Sequence, residues 1–481
     1  MNGPAAAVRG TRRPAVRARR TAQDDVCPSP AHRRALRRTL AVAVGAGALI
    51  GVSISAMNES LTVIASEFNL SPLHQGIVVS ALLVGALVGS LTSGVLTGRL
   101  GRRRILLLAG ALGAPAAVLC AAAPNATVLT GGRFLIGLAM GVASAVGPVL
   151  VADLAPTRSR GSLVTAYQVS IAVAMLAALA LGLGPMGNGG WRVLFAVNAL
   201  PCVALCLAAL RIPEAPGDLV TRGRTPQALA VLRATRGPEE AAAEMAVLSR
   251  ARRTPHRSVL RCATDPVLRR PLAIAVGAAL MNPIVGIGAV VYYSTLVFSS
   301  AGLPGATGAR TASLTVGIVN VLMSFVALAL IRRHGRRPLL STGLSGMVVA
   351  LAAAACFQLV GGAAVGALTV AAVLGYIACY AFSAGPLSWV LFADVLPPEL
   401  RAGVSGGALA GTWAVNLAIA LVFPVVVGTP AAPGRLAGAF VFFAVITLLI
   451  LILFRRYVPE TKDRSPAELR ALLDASGPVR G

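Results

Sequence analysis

About twelve runs of roughly twenty apolar residues divide this chain, and no other feature narrows its fold so far. The runs begin near Leu40, Gly76, Ile105, Val128, Leu163, Trp191, Leu272, Ala312, Leu339, Gly366, Gly403 and Leu436. A hydrocarbon layer of about 30 Å is crossed by about 20 residues of helix. Lipid offers no partner to a peptide group, so each run must close its own hydrogen bonds as a helix. Pro115, Pro148, Pro201, Pro283 and Pro386 fall inside runs, where kinks are expected. Composition agrees with this reading. The 481 residues are 56% hydrophobic and 12% charged, with mean hydropathy +0.78. A soluble chain carries about twice that charged fraction. Soluble multidomain and largely disordered chains are excluded on the same figures.

The net charge of +26 could suggest a nucleic-acid binder. Its placement argues against one. Residues 1–38 hold ten Arg against two Asp, and residues 211–270 hold twelve Arg against six acids. Further clusters follow span 2 (Arg99, Arg102, Arg103, Arg104), span 4 (Arg158, Arg160), span 8 (Arg332, Arg333, Arg336, Arg337) and span 10 (Arg401). The alternate loops carry single arginines, Arg192, Arg310 and Arg435. Positive loops stay in the cytoplasm, so both termini are expected there, in a multi-pass cell-membrane protein.

The two halves echo each other. Gly101-Arg102-Arg103 matches Gly335-Arg336-Arg337. Ala152-Asp153-x-x-Pro156-x-x-x-Arg160 matches Ala393-Asp394-x-x-Pro397-x-x-x-Arg401. Pro213-Glu214 matches Pro459-Glu460. The expected fold class is therefore all-α integral membrane, twelve transmembrane helices in two pseudo-symmetric six-helix bundles. The expected parts are a disordered Arg-rich tail (1–38), one bundle (39–210), a cytoplasmic linker with short helices (211–270), a second bundle (271–456) and a second cytoplasmic tail (457–481). Such repeats belong to transporters that rock around a central site.

These residues resemble the major facilitator superfamily, and within it the sugar porters, from about Leu40 to Lys462. The likeness rests on Gly98-Arg99-Leu100-Gly101-Arg102-Arg103, on Arg133-x-x-x-Gly137-x-x-x-Gly141 with Pro148, Asp153, Pro156, Arg160, Gly161 and Gln168, and on Pro213-Glu214-x-Pro216 with Gly223-Arg224. It continues through Gly385-Pro386-x-x-Trp389, Asp394, Pro397, Arg401, Trp413 and Asn416 to Pro459-Glu460-Thr461-Lys462. The resemblance implies a gate at the cytoplasmic face, built from Asp153, Arg160, Asp394, Arg401, Arg102 and Arg336. It implies an outer gate at Tyr292 and Tyr293, for which an aromatic pair at the membrane interface is the alternative. It implies solute contact by Gln168 and Trp389. Thr412 aligns with a family glutamine.

Asn282, Asn320 and Asn416 also lie inside spans, where an amide either binds a hydroxylated solute or bonds a neighbouring helix. The chain departs from the family pattern at Ser53, which stands where proton-coupled members carry Asp. Met175, Pro283 and Gly288 replace further amides. Arg133 either meets a counter-ion or solute, or snorkels to the outer headgroups. Glu59, about 9 Å beyond Ser53 along a helix, is either a displaced proton carrier or a solvated end group.

The expected function is alternating-access transport of a sugar or a sugar-like polar metabolite, by facilitated diffusion or with protons. A proton-driven exporter of a drug or secondary metabolite is the alternative. Expected partners are a small-molecule solute, the lipid bilayer and protons, without nucleic acid, the chain acting as a monomer. The seven scattered Cys and four His suggest packing rather than a metal site, and no phosphate-binding loop is present, so no cofactor is expected and no enzyme.

Overall fold

The computed structural model describes residues 30–182, 190–253, 268–292, 305–360, 365–396, 401–428 and 433–462. Within them the chain is helical, and twelve stretches are long and apolar enough to cross a membrane. Spans 1–5 are single helices: α1 (Pro30–Glu67), α2 (Pro72–Leu100), α3 (Arg102–Ala121), α4 (Ala126–Leu154) and α5 (Thr157–Leu181). Span 6 is a broken pair, α6 (Gly190–Val197) and α7 (Ala199–Arg211). The boundaries follow from local chemistry. Ser71 caps α2 ahead of Pro72, and Asn125 Oδ1 accepts the Val128 N–H at 3.0 Å to cap α4. Gly101, at φ +84°, turns the chain from α2 into α3, a conformation that L side chains rarely adopt.

Three short helices follow: α8 (Pro216–Thr221), α9 (Thr225–Thr235) and α10 (Pro238–Arg253). Leu219, Val220, Leu232 and Met245 give them a small core of their own. The second half repeats the first. Span 7 is α11 (Arg269–Ile284) and α12 (Ile287–Tyr292). Span 8 is α13 (Gly305–Arg333) and span 9 is α14 (Arg336–Val360). Span 10 is α15 (Val365–Phe382) and α16 (Ala384–Val395). Spans 11 and 12 are α17 (Arg401–Val427) and α18 (Pro433–Tyr457).

Lipid, not water, suits the outside. Val95, Leu200, Val349, Val425 and Phe442 are largely exposed, a surface that would aggregate in water. Inside, small residues let backbones meet, which explains the glycines of the span 4 motif. A Cβ on Gly137 would sit 2.2 Å from Leu82 O, and one on Gly141 would sit 2.1 Å from Ala86 O. The halves join along α2 and α17, where Gly406 rides over Ser90, and along α5 and α13, where Gly317 meets Leu176 and Leu179.

The repeat extends to the helix caps at the arginine-rich end. Glu460 accepts the Arg336 N–H at 2.8 Å and the Arg337 N–H at 3.0 Å, neutralising the α14 N-terminus. In the first half that task falls to Asp218, whose Oδ2 accepts the Arg102 N–H at 2.8 Å. The sequence pairs Glu460 with Glu214 instead. Glu214 turns to Arg222, at 3.0 Å.

The opposite end is stapled by Glu67. Its carboxylate accepts the Trp191 indole N–H at 2.6 Å and an Arg192 N–H at 2.9 Å. Arg192 reaches on to Ala123 O at 3.1 Å, so spans 1, 3 and 6 are tied together. The Trp191 hydrogen bond, more than the Arg192 charge, holds the Glu67 carboxyl below its ordinary value. A lowered carboxylate pKa contributes stability above the unfolded value, about 4.3, and loses it as pH falls through the folded one. Glu67→Gln should therefore lower the melting temperature of detergent-solubilised protein at pH 7. The gap to wild type should close as the pH drops below 4. Equal melting temperatures at pH 7 would contradict the staple.

Candidate functional site

Three spans break near the middle of the molecule, and the breaks follow from their residues. Pro283 ends α11, and Gly286, at φ +90°, leads into α12. Only a glycine passes there, since a Cβ would also meet the Phe443 ring at 2.6 Å. Span 10 breaks at Ser383, just before Gly385-Pro386, and span 6 breaks at Asn198. Interrupted helices at membrane depth are tolerated where they line a cavity or find other partners. The Tyr376 hydroxyl supplies one, donating to Val285 O at 2.8 Å.

A cavity of about 120 Å³ lies beside the breaks of spans 7 and 10, walled by spans 1, 5, 7, 8, 10 and 11. It brings together Gln168, Asn282, Asn320, Trp389, Thr412 and Asn416. Trp389 Nε1 donates to Gln168 Oε1 at 3.1 Å, linking α16 of one half to α5 of the other. The Trp389 ring also meets Tyr167 edge-on, with centroids 5.2 Å apart. A second bond between halves runs from Trp413 Nε1 to Ser144 Oγ at 3.0 Å. Thr412 donates to Ala279 O at 3.0 Å, and Asn416 Nδ2 donates to Thr412 O at 3.1 Å. Asn282 accepts from the Tyr380 hydroxyl and donates to Ser388 Oγ at 3.3 Å. Asn320 Oδ1 is buried and lacks a hydrogen-bond partner among the described residues.

Tyr380 is the polar lining residue that sequence reasoning passes over. Tyrosine in an apolar run reads as a membrane-interface residue. The available signal is its spacing from Tyr376, one helical turn away, which sends both hydroxyls to span 7. Met175, Pro283 and Gly288 line the same cavity, with Ile50, Ile54, Ile171 and Ile287.

Ser53 does not line it. Its hydroxyl donates to Leu49 O at 2.6 Å and accepts from Asn198 Nδ2 at 2.9 Å, a neutral pair at the span 6 break. Arg133 is 2% exposed. Its Nε donates to Val78 O at 2.8 Å, and its guanidinium lies 5.9 Å from the Phe195 ring. Glu59 packs against Gly182, just past the end of α5.

The charged candidates Arg102, Asp153, Arg336 and Asp394 gather at the arginine-rich end. Arg102 pairs with Asp218 at 2.5 Å and Asp153 at 3.5 Å. Arg336 lies 4.0 Å from Asp394 in the matching place of the second half. Arg336 also covers Gly161 of the first half, where a Cβ would sit 2.9 Å from its Nη2. Arg236, with a fully buried side chain, caps the end of α4 by donating to Asp153 O at 3.0 Å and Ala155 O at 2.9 Å. Burial works against its charge. Glu244, at 3.1 Å, supports it and buried Arg160 opposes it. Tyr292 ends α12, but its side chain, all of Tyr293 and the Arg401 side chain lie outside the described residues.

Comparison with known proteins agrees with this geometry. The family model described as "Sugar (and other) transporter" matches residues 39–473. The "Probable metabolite transport protein CsbC" of Bacillus subtilis is 33% identical over 89% of this chain and 92% of its own. The "Galactose-proton symporter" of Escherichia coli K12 is 30% identical over 87% of this chain and 90% of its own. The fold matches that of the proton:xylose symporter XylE of E. coli, solved with 6-bromo-6-deoxy-D-glucose. Its TM-score is 0.81 at 24% identity, covering 92% of this chain and all of that one. The twelve-span fold thus has its match across nearly the whole chain. The chain belongs to the sugar transporter family, whose members move small organic solutes across membranes.

Proposed function

We propose that this transporter takes up a monosaccharide or a similar polyol together with protons. The carrying observation is the central cavity, where eight side chains with polar groups from α5, α11, α13, α15, α16 and α17 converge. Its volume holds on the order of ten water-sized particles at about 10–15 Å³ each. That is the scale of the heavy atoms of one small sugar. Amides meet hydroxyls as donor and acceptor together, and the Trp389 face suits the apolar side of a sugar ring. The relatives' names favour this reading over an exporter, since one is a galactose-proton symporter.

The arginine-rich end faces the cytoplasm in this proposal, with both termini, as the positive-inside rule requires. The halves are residues 39–210 and 271–456, bridged by the helices of 211–270, and one chain suffices for transport. Arg102 with Asp153 and Arg336 with Asp394, together with Arg160 and Arg401, form the inner gate. Tyr292 and Tyr293 form the outer one. The solute is released inward when the contact of Arg336 on Gly161 parts.

Glu59 is the proton carrier in this account and Arg133 the fixed charge that tunes it. A second reading, uncoupled facilitation, draws on the neutral Ser53–Asn198 pair. The two separate cleanly in proteoliposomes. An inside-alkaline pH step should drive accumulation of D-galactose or D-xylose several-fold above equilibrium. Glu59→Gln should abolish that accumulation and spare counterflow. Equilibration without accumulation would establish the facilitator. Gln168→Leu leaves the Trp389 indole unpaired and removes an amide from the solute. It should raise the counterflow KM about tenfold or more, in line with about 1–3 kcal/mol for a buried group without its partner. An unchanged KM would remove Gln168 from the site.

A further inference from the structure

The cavity wall is divided by chemistry. Most of its polar groups are already engaged within the protein. Asn282 is held by Tyr380 and Ser388, Thr412 by Ala279 O, and the Trp389 indole by Gln168. Asn320 is the clear exception, 5% exposed, with its buried Oδ1 unpartnered among the described residues. It stands on α13, in the second half. The first half faces it with Ile50, Ile54, Ile171 and Met175, and Gln168 is its one polar lining side chain. Ile287 and Pro283 extend the apolar wall.

A hydroxyl pressed against isoleucine loses its water and gains nothing. A sugar with hydroxyls around its whole ring has fewer orientations in this cavity that spare it than one bearing hydrogen or methyl along one edge. That edge lies on Ile50, Ile54, Ile171 and Met175, while its hydroxyls face Asn320 and the free ends of Gln168 and Asn416. We propose that the transporter selects deoxy sugars over the parent hexoses. This rests on the sugar-carrier reading and narrows it to a substrate class.

The test uses matched pairs on the full chain in proteoliposomes. The pairs are L-fucose with L-galactose, L-rhamnose with L-mannose, and 6-deoxy-D-glucose with D-glucose, each read as counterflow KM and competition. At least one deoxy sugar should bind about tenfold or more tightly than its parent, the discrimination an apolar pocket achieves for one group. Met175→Gln should narrow that ratio by restoring a partner on the apolar wall. Parents that bind as well as their deoxy partners in every pair would overturn this inference and leave the sugar carrier standing. Failure of every sugar in both columns would overturn the carrier reading as well. The wild-type ratio decides even if the Met175 variant does not fold, and a folded variant with an unchanged ratio would refute the apolar wall as its cause.

Discussion

A peptide group inside a bilayer has no water to bond, and every feature of this molecule is an answer to that fact. Twelve stretches close their hydrogen bonds as helices. Where a helix is interrupted, a replacement partner stands beside the break. Tyr376 serves Val285 O in span 7, and the Ser383 hydroxyl serves Cys379 O in span 10. Breaks are therefore confined to places walled by protein, and those places can hold a polar cavity. The breaks of spans 7 and 10 stand at the central cavity, while no residue of the span 6 break lines it.

The same constraint shapes the ends of the spans. Each helix N-terminus leaves donors unsatisfied, and the arginine-rich end supplies acids for them, Asp218 for α3 and Glu460 for α14. These caps anchor the α8–α10 helices and the segment after α18 to the bundle. The arginines beside them are then free to bridge the halves, as Arg336 does over Gly161. Gating residues and capping residues are neighbours because both use the charge that the membrane excludes.

Much of this was legible in the residues. The spans showed as apolar runs, and the end of span 2 showed in its arginine cluster at Arg99 to Arg104. The cavity amides stood out as polar groups that had no reason to lie in lipid. Asp218 was hidden because the repeat in sequence points to Glu214. The cap depends on the direction in which α8 folds back, which no motif records. The Ser53–Asn198 pair was hidden because its members are far apart in the chain. Tyr380 was hidden because its partner, Asn282, stands on span 7, far away in the chain. Pairings set by packing between distant spans leave no trace in one sequence.

The central claim is that a single cavity opens to one side at a time. It is tested by Asn416→Cys, which places a thiol in the wall, and a membrane-impermeant maleimide offered to either face of oriented vesicles. The account predicts labelling from one face only, moving to the other face when Asp153→Asn weakens the pair with Arg102. Simultaneous labelling from both faces would reveal a pore. A side preference that ignores Asp153 would show that these charges do not govern which way the halves open.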